Sequence, residues 1–358
     1  MATCHRPVRP DPAAEPHDER ARGGSDSGSQ RQGWWCKIDR VMTGAGSRVP
    51  DSALLGAVVD RYGLRSPVTV RRLAGGYAND VFLVDADTPV VVHLKHPPVN
   101  AASIAWEHGV VTALAHWLPP ALAPLPALDG STWFWHEGRP VWLVPFAGGA
   151  PAAVRDRDAV AAVLGRLHAA PVEVTQRPGH DRLLEPPLPP VRGLPEELAP
   201  QVGRLVRARD ELTDLLTWIR QERRPLTGLT HNDIFEGNVL VEQGEVTALL
   251  DWEEANLDWL VWDVATSLWP FCSEGDRLVP DATSRFLDAY RAAGGPLPPG
   301  EDDLIVPLVR AKRLLEVLRA PTDRNPRWSL QRANLRAYSA LRLPAPTNPR
   351  SGRFLIER

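Results

Sequence analysis

Polar side chains at fixed spacing come directly before a strand-like apolar run in residues 228–241, GLTHNDIFEGNVLV. His231, Asp233 and Asn238 follow the spacing H-x-D-x4-N, and residues 239–241 are the apolar run. Asp251 comes thirteen residues after Asn238, at the end of a second apolar segment. A loop, a tight hairpin and a strand end can hold one base and two oxygen ligands a few Å apart. The pattern therefore predicts a rigid hairpin that supports a reactive loop.

Such a loop has the parts that phosphoryl transfer requires. In kinases, an Asp accepts the proton of the attacking hydroxyl, while an Asn and a later Asp hold Mg²⁺ at the nucleotide phosphates. That chemistry depends on positioning and charge neutralisation, and Mg²⁺ prefers hard oxygen ligands. The alternative is a structural turn, in which His231 and its neighbour make turn hydrogen bonds and Asp233 caps the turn. The position of Asp251 after a hairpin favours the reactive loop.

Composition excludes several classes of protein. The formal net charge is -3, from 41 basic and 44 acidic residues, so there is no basic field for nucleic acid. Three cysteines are too few and too scattered for a disulfide framework. No export signal and no apolar run of ~18 residues is present, so no membrane partner is expected. We expect a cytoplasmic protein, and no feature indicates its oligomeric state.

The chain is predicted to have two lobes, with a ligand-binding cleft between them. Residues 1–48 are rich in Gly, Ser, Pro, Arg and Asp and are predicted to be disordered, and translation is hypothesised to start at Met42 rather than Met1. The predicted divisions are an N-terminal extension (1–48), an N-lobe (49–145), a C-lobe (146–345) and a tail (346–358).

Local patterns predict the elements of each lobe. The N-lobe has a helix at 51–61, an antiparallel meander of strands at 68–73, 80–84 and 90–95, a helix at 101–117 capped by Asn100, and a further hairpin. A second group of segments predicts the C-lobe helices: 156–169, 200–221, 258–269, 281–293, 301–319 and 328–341. Together they predict an α+β fold.

Residues 50–320 resemble the aminoglycoside phosphotransferase family of small-molecule kinases, which includes choline-kinase-like and homoserine-kinase-like enzymes. LTHNDIFEGNVLV (229–241) is similar to the family loop H-G-D-x4-N. ALLDWEEANLDWLVWDVATSLW (248–269) is similar to the metal-binding segment and the helix after it. LGRLHAAP (164–171) and RLAGGYANDVFLV (72–84) resemble a helix end and the phosphate-loop hairpin of the family.

The resemblance implies a protein-kinase-like two-lobed fold that uses ATP and Mg²⁺. Asp233 would be the catalytic base, and Asn238 and Asp251 would be the Mg²⁺ ligands. His231 would support the loop, and Asp263 would brace it by hydrogen bonding. The alternative for Asp263 is a partly exposed helix residue.

The same resemblance implies a nucleotide site in the N-lobe. Lys95 is similar to the strand lysine that pairs with the α- and β-phosphates, and Glu107 would hold it. Gly75 and Gly76 would let backbone N–H groups approach the phosphates, although a plain hairpin turn explains them as well. Phe146 lies in the segment that resembles the interlobe hinge, where backbone groups would meet adenine. An exposed lysine, a solvated glutamate and a simple linker are the alternatives.

Two features of the loop depart from the family pattern. Asn232 replaces the usual Gly, which the backbone tolerates because Asn can adopt positive φ. Phe235 with Glu236 is closer to homoserine-kinase-like members than to drug-resistance enzymes. An antibiotic substrate is therefore not favoured.

Acidic residues crowd the predicted metal site. Glu236, Glu253, Glu254 and Asp258 would attract a cationic acceptor such as an amine-bearing alcohol. An ordinary solvated surface is the alternative for each of them.

The expected activity is ATP- and Mg²⁺-dependent phosphorylation of a hydroxyl on a small molecule: an amino alcohol, sugar, amino acid or aminoglycoside-like compound. The alternatives are a kinase-shaped protein that binds without turnover, and a metal-dependent hydrolase with His231, Asp233 and Asp251 as ligands. A protein substrate is not favoured because no D-F-G to A-P-E segment is present. His168 is predicted to be a core histidine satisfied by hydrogen bonds.

Overall fold

The computed structural model describes residues 52–65, 69–73, 79–179, 188–322 and 328–341. The predicted extension 1–48, the tail 346–358 and the Gly75-Gly76 turn lie outside these residues.

The N-lobe is built on a five-stranded antiparallel sheet, in which its strands, counted along the chain, lie in the order first, second, third, fifth, fourth. Its core forms where Leu54 and Val58 of the first helix pack against Phe82, Val84 and Val92 of the sheet. The second helix starts as predicted, since Asn100 Oδ1 accepts the N–H groups of residues 102 and 103. The bounds are α1 Ser52–Tyr62, β1 Thr69–Arg72, β2 Asn79–Asp85, β3 Val90–Lys95, α2 Ala101–Ala115, β4 Phe134–His136 and β5 Arg139–Pro145.

The C-lobe is mostly helical around a core that contains the fully buried Trp262, Phe271, Phe286 and Tyr290. Its elements are β6 Ala150–Pro151, α3 Arg157–Ala169, α4 Val202–Trp218, β7 Thr227–Thr230, β8 Val239–Glu242, β9 Glu245–Leu249, β10 Asn256–Trp259, α5 Leu260–Cys272, β11 Ser273–Glu274, β12 Arg277–Leu278, α6 Pro280–Ala292, α7 Ile305–Arg319 and α8 Trp328–Ala340.

Two helices differ from the prediction at their ends. The segment predicted as one helix at 200–221 begins as a 3-10 turn, Glu196–Gln201, and ends as a π turn, Ile219–Arg223, before Arg224 turns with φ 45°. Residues Pro299–Leu304 form a 3-10 turn before α7, so Pro307 falls in the first turn of that helix, where its missing N–H costs nothing. Within the described part of the chain, no helix is long and apolar enough to cross a membrane.

Two short strand pairs flank the loop of residues 231–238, and one of these pairs was not predicted. β8 and β9 form the expected hairpin. β7 and β10 pair antiparallel, with Thr230 opposite Asn256 and Thr227 opposite Trp259. Because β7 ends directly before His231 and β10 follows the segment that carries Asp251, this pairing brings the loop and the acidic segment side by side.

Candidate active site

Asp263 lies in the first turn of α5 and accepts three hydrogen bonds, two from the loop and one from α3. Its Oδ2 accepts the backbone N–H of His231 at 2.6 Å, and its Oδ1 accepts that of Asn232 at 2.9 Å. His168 Nε2–H donates to Oδ2 at 3.1 Å. The side chain is 0% exposed, so the alternative of a partly exposed helix residue is wrong. Burial alone would raise the pKa of Asp263, but the hydrogen bond and the charge of His168 outweigh it and hold the pKa below its usual range.

His168 and His231 are both satisfied by hydrogen bonds. His168 Nδ1 lies 2.9 Å from the hydroxyl of Tyr290, so this residue links α3, α5 and α6, in agreement with the core role predicted for it. His231 Nε2–H donates to the carbonyl of Leu250 at 3.1 Å, and its Nδ1 accepts the N–H of Asp233 at 3.3 Å. Burial lowers the pKa of His231, which is therefore neutral, and neither ring nitrogen keeps a lone pair for a metal.

Asn232, which stands where the family pattern has Gly, adopts φ 67°. Its side chain compensates for the left-handed backbone, because Nδ2 donates to the carbonyl of Glu254 at 3.0 Å. The positive φ expected at this departure is therefore present. The added bond also ties the loop to the segment after Asp251.

Asp233 and Asn238 contact each other directly. Asn238 Nδ2 donates to Asp233 Oδ2 at 2.8 Å and to the backbone carbonyl of Asp233 at 3.0 Å. The amide nitrogen is thereby occupied by Asp233, and the amide oxygen is the group that could ligate a metal. Burial raises the pKa of Asp233 to about 6, with Lys312 acting against the rise and Glu254 adding to it. A carboxylate with this pKa is ionised near neutral pH and is still a useful base.

Asp251 follows β9 by two residues and adopts φ 63°. Burial raises its pKa well above the usual range, and the charges of Glu253 and Asp233 add to the rise, while Lys95 opposes it. Acids held this closely are stabilised by a cation, and hard carboxylate and amide oxygens suit Mg²⁺. The donor set of Asp251 and Asn238 therefore fits Mg²⁺. The described residues hold no cage of three or more His, Cys, Asp or Glu side chains, and Mg²⁺ in kinases takes its other oxygens from phosphates and water.

Lys95 contacts this acidic group, but its partner is not the residue predicted for it. Its Nζ donates to Glu253 Oε2 at 2.7 Å. Glu107 instead accepts from Arg177 Nη2. The predicted Lys95–Glu107 pair is thus absent, because the buried guanidinium of Arg177 takes Glu107 as its counter-charge. Sequence reasoning missed Arg177, which is a single basic residue at the start of a Pro-rich stretch and belongs to no motif.

The remaining predicted residues differ in their surroundings. Glu236 and Glu254 are partly buried. Asp258 is 1% exposed on β10, and its Oδ1 accepts the N–H of Trp259 at 2.8 Å, so it is not part of a solvated surface. The N–H of Phe146 donates to Pro89 at 3.2 Å within the N-lobe, so this N–H does not face adenine, while its side chain is exposed.

Comparison with known proteins places the chain among kinases. The model of the phosphotransferase enzyme family matches residues 69–304. The homoserine kinase of Gluconobacter oxydans is 26% identical over 255 residues, covering 66% of this chain and 77% of that protein. The homoserine kinase of Methylobacterium sp. (strain 4-46) is 25% identical, covering 77% and 87%. That of Pseudomonas aeruginosa (strain UCBPP-PA14) is 31% identical over 169 residues, covering 44% of this chain and 50% of that protein.

Solved structures have the same architecture. An amicoumacin kinase in complex with AMP-PNP, Ca²⁺ and Ami superposes with a TM-score of 0.66 at 18% identity, covering 84% of this chain and 96% of that one. A microcompartment-associated aminopropanol kinase gives 0.63 at 18% identity, covering 81% and 95%. The expected protein-kinase-like fold is therefore confirmed. Since the family match spans more than half of the 358 residues, the chain belongs to the phosphotransferase enzyme family and is a small-molecule kinase.

Proposed function

We propose that this kinase transfers the γ-phosphate of ATP, with Mg²⁺, to the hydroxyl of a small amino acid or amino alcohol, with homoserine as the first candidate. The observation that carries the proposal is the contact between Asp233 and Asn238 on a loop that Asp263 fixes from below. It supplies a base and a neighbouring oxygen ligand in one rigid unit. Phosphoryl transfer relies on such positioning.

The chain's own residues have distinct tasks in this proposal. Asp233 orients the acceptor hydroxyl and accepts its proton, and the Asn238 amide N–H fixes the carboxylate for this step. Asp251 and the Asn238 amide oxygen would hold Mg²⁺, which when bound neutralises charge on the phosphates. Lys95, paired with Glu253 at 2.7 Å, is positioned to exchange that partner for phosphate oxygens. The ion pair with Glu253 holds Lys95 beside the segment that carries Asp251.

The surroundings of the base favour an acceptor with charged groups. Lys312 and Glu316 on α7 form an ion pair at 2.8 Å, with side chains that are 16% and 33% exposed. Beside the larger effect of burial, Lys312 lowers and Glu316 raises the pKa of Asp233, so both charges lie near the base. An acceptor with an ammonium and a carboxylate would find an opposite charge for each. The curated relatives reported above are homoserine kinases, whose named substrate has both groups.

The hydrolase alternative is disfavoured by a specific contact. It requires His231 as a metal ligand, and both of its ring nitrogens are already hydrogen-bonded to the backbone. A binding protein without turnover is separated from a kinase by assay rather than by geometry.

The test is a coupled assay of ADP formation with homoserine, an amino alcohol, a sugar and an aminoglycoside as acceptors. The Asp233→Asn variant should bind MgATP with the wild-type Kd while kcat falls by about 10²- to 10⁴-fold, the usual contribution of a general base. Nucleotide binding without acceptor-dependent ADP formation would favour the binding protein. No binding of any nucleotide would overturn the proposal.

A further inference from the structure

Arg177 is a buried arginine, 3% exposed, that no motif predicted. Its guanidinium donates to acceptors on two separate elements. On α2 it reaches Ser103 Oγ from Nε at 2.7 Å and the carboxylate of Glu107 from Nη2. On the segment after Asp251 it reaches the carbonyls of Trp252 at 2.8 Å and Ala255 at 3.3 Å, both from Nη1.

The backbone around Arg177 is fixed to the same two elements. Its own N–H donates to Asn256 Oδ1 at 3.0 Å. Trp106 on α2 donates its indole N–H to the carbonyl of Thr175 at 3.0 Å, and the guanidinium lies 5.4 Å from the centre of the Trp106 ring. The side chain and the backbone of Arg177 are therefore both held by hydrogen bonds to the surrounding elements.

Only a planar, multidentate donor can make these contacts at once. A guanidinium presents five N–H donors in a rigid fork, whereas a lysine is a single point charge. Without Arg177, the Glu107 carboxylate and the two carbonyls would lose their buried donor. These hydrogen bonds therefore join α2 and residues 251–255 into one connected unit.

That unit carries Asp251, which the proposed function assigns to the metal, and it contacts Lys95, which the proposed function assigns to the phosphates. Residues 251–255 contain Asp251 and also Glu253, which pairs with Lys95 on β3. Arg177 pairs with Glu107, and Lys95 pairs with Glu253 instead. Each of these two ion pairs therefore has its acidic partner in α2 or in residues 251–255. The arginine thus fixes Asp251 relative to Lys95 without being placed at the nucleotide.

We propose that Arg177 is a positioning residue for Mg²⁺-dependent nucleotide binding, acting through the Trp252 and Ala255 carbonyls and Glu107 on the position of Asp251. The inference rests on the proposed function, because it takes Asp251 as the metal ligand. If the proposal is correct, replacing Arg177 weakens the gain in nucleotide affinity that Mg²⁺ provides and leaves the affinity measured without Mg²⁺ unchanged. A merely structural arginine would affect both affinities alike or neither.

The experiment measures the Kd of ATP by calorimetry, once with excess Mg²⁺ and once with EDTA, for wild type, Arg177→Met and Arg177→Lys. Arg177→Met should lose about 10- to 100-fold of the affinity that Mg²⁺ adds, the usual effect of removing a group that orients a metal ligand. Its Kd in EDTA should stay within about threefold of wild type, and Arg177→Lys should recover part of the loss.

Arg223→Met is the matched control. Arg223 makes a bidentate pair with Asp303, at 2.7 and 2.8 Å, and is not assigned to the site. This variant should lower Tm and keep the full Mg²⁺ effect. The same loss in Arg223→Met as in Arg177→Met would overturn the proposal, since it would show a general loss of stability.

The outcomes separate the inference from the proposed function. An Arg177→Met protein that keeps the Mg²⁺ effect within about threefold would show that Arg177 is only structural. If Arg177→Met does not fold, Glu107→Gln gives the decision, because it removes one charge and keeps the shape: a weakened Mg²⁺ effect supports the proposal and an unchanged one overturns it. A wild-type protein that gains no affinity from Mg²⁺ refutes the proposed function itself, and the role of Arg177 with it.

Discussion

Substitution of Asp263 by Asn should destabilise the protein strongly although the two side chains have the same shape. Three donors converge on this carboxylate, from His231, Asn232 and His168, at 2.6 to 3.1 Å. An amide offers one acceptor oxygen and places an N–H₂ group against a donor, so at least one buried donor loses its partner. Each buried group left unpaired costs about 1–3 kcal/mol, and here the new N–H₂ group and the donor that faces it would both lose a partner. We expect a loss of about 3–5 kcal/mol in the free energy of unfolding.

That loss converts to a large shift in melting temperature. For folding units of 150–250 residues, 1 kcal/mol corresponds to about 2–4 °C, so Asp263→Asn should lower Tm by roughly 6–20 °C. Calorimetry at pH 7 is the assay, with Asp288→Asn on α6 as the matched control, because Asp288 is exposed. The control should change the free energy of unfolding by no more than about 0.5 kcal/mol. A difference of less than about 2 °C between the two variants would refute the bracing role.

The stability difference between wild type and Asp263→Asn should also depend on pH, in a direction that the pKa of Asp263 sets. Burial is the largest single effect and would raise the pKa of Asp263, but the interactions with His168 and His231 together outweigh it, so the folded-state pKa is below the ordinary one. A carboxyl group of this kind contributes stability that is fully present above its unfolded pKa of about 3.9 and is lost as pH falls through the folded pKa. The part of the stability difference between wild type and Asp263→Asn that comes from this carboxyl should therefore be fully present above about pH 4 and shrink as the pH falls further.

Three further predictions concern other parts of the site and the N-lobe. Asn238→Ala removes the donor to Asp233 Oδ2 and also the amide oxygen proposed to hold Mg²⁺. At saturating Mg²⁺ it should lower kcat by at least about 10-fold, the kinetic equivalent of about 1.5 kcal/mol for the lost bond to a charged group. Steady-state kinetics that change less than about threefold would contradict this prediction. Glu253→Gln breaks the partly exposed ion pair with Lys95. Urea denaturation should show a loss of no more than about 1 kcal/mol in the free energy of unfolding, and a loss above about 2 kcal/mol would contradict this geometry. Burial lowers the pKa of His108 to about 4, so the unfolded chain binds a proton at this residue before the folded protein does as the pH falls below about 6.5. The free energy of unfolding of wild type should therefore fall by about 1.4 kcal/mol per pH unit in that range because of this residue. Urea denaturation of His108→Gln at a series of pH values should show a dependence on pH that is shallower by that amount.

The N-lobe could be predicted from sequence because its signals are local. β3 has the predicted bounds, Val90–Lys95, and its side chains alternate between buried and partly buried positions. Asn100 caps α2 through its own side chain, which needs no information from elsewhere in the chain. Asn232 behaves in the same way: the tolerance of Asn for positive φ is a property of the residue, and the structure has φ 67° there.

The parts that could not be predicted depend on residues far apart in the chain. β7 and β10 are four residues long and pair only because the loop and the acidic segment between them fold back. Arg177 contacts Glu107 70 positions before it and Trp252 75 positions after it, and neither distance leaves a local pattern. The pairing predicted for Lys95 was wrong for the same reason, since it ignored a competitor whose position only the fold defines.

The acidic residues of the site can therefore be recognised from a sequence motif, whereas the residues that support them cannot all be recognised in that way. Asp233 and Asp251 share a buried environment that raises the pKa of both, so the charged site opposes folding. The compensation lies outside that acidic pair: Asp263 accepts three hydrogen bonds beneath the loop, and Arg177 joins α2 to residues 251–255. A motif identifies the groups that react because their spacing is fixed by the reaction. The supporting groups can come from any segment that reaches the site, so only the folded structure reveals them.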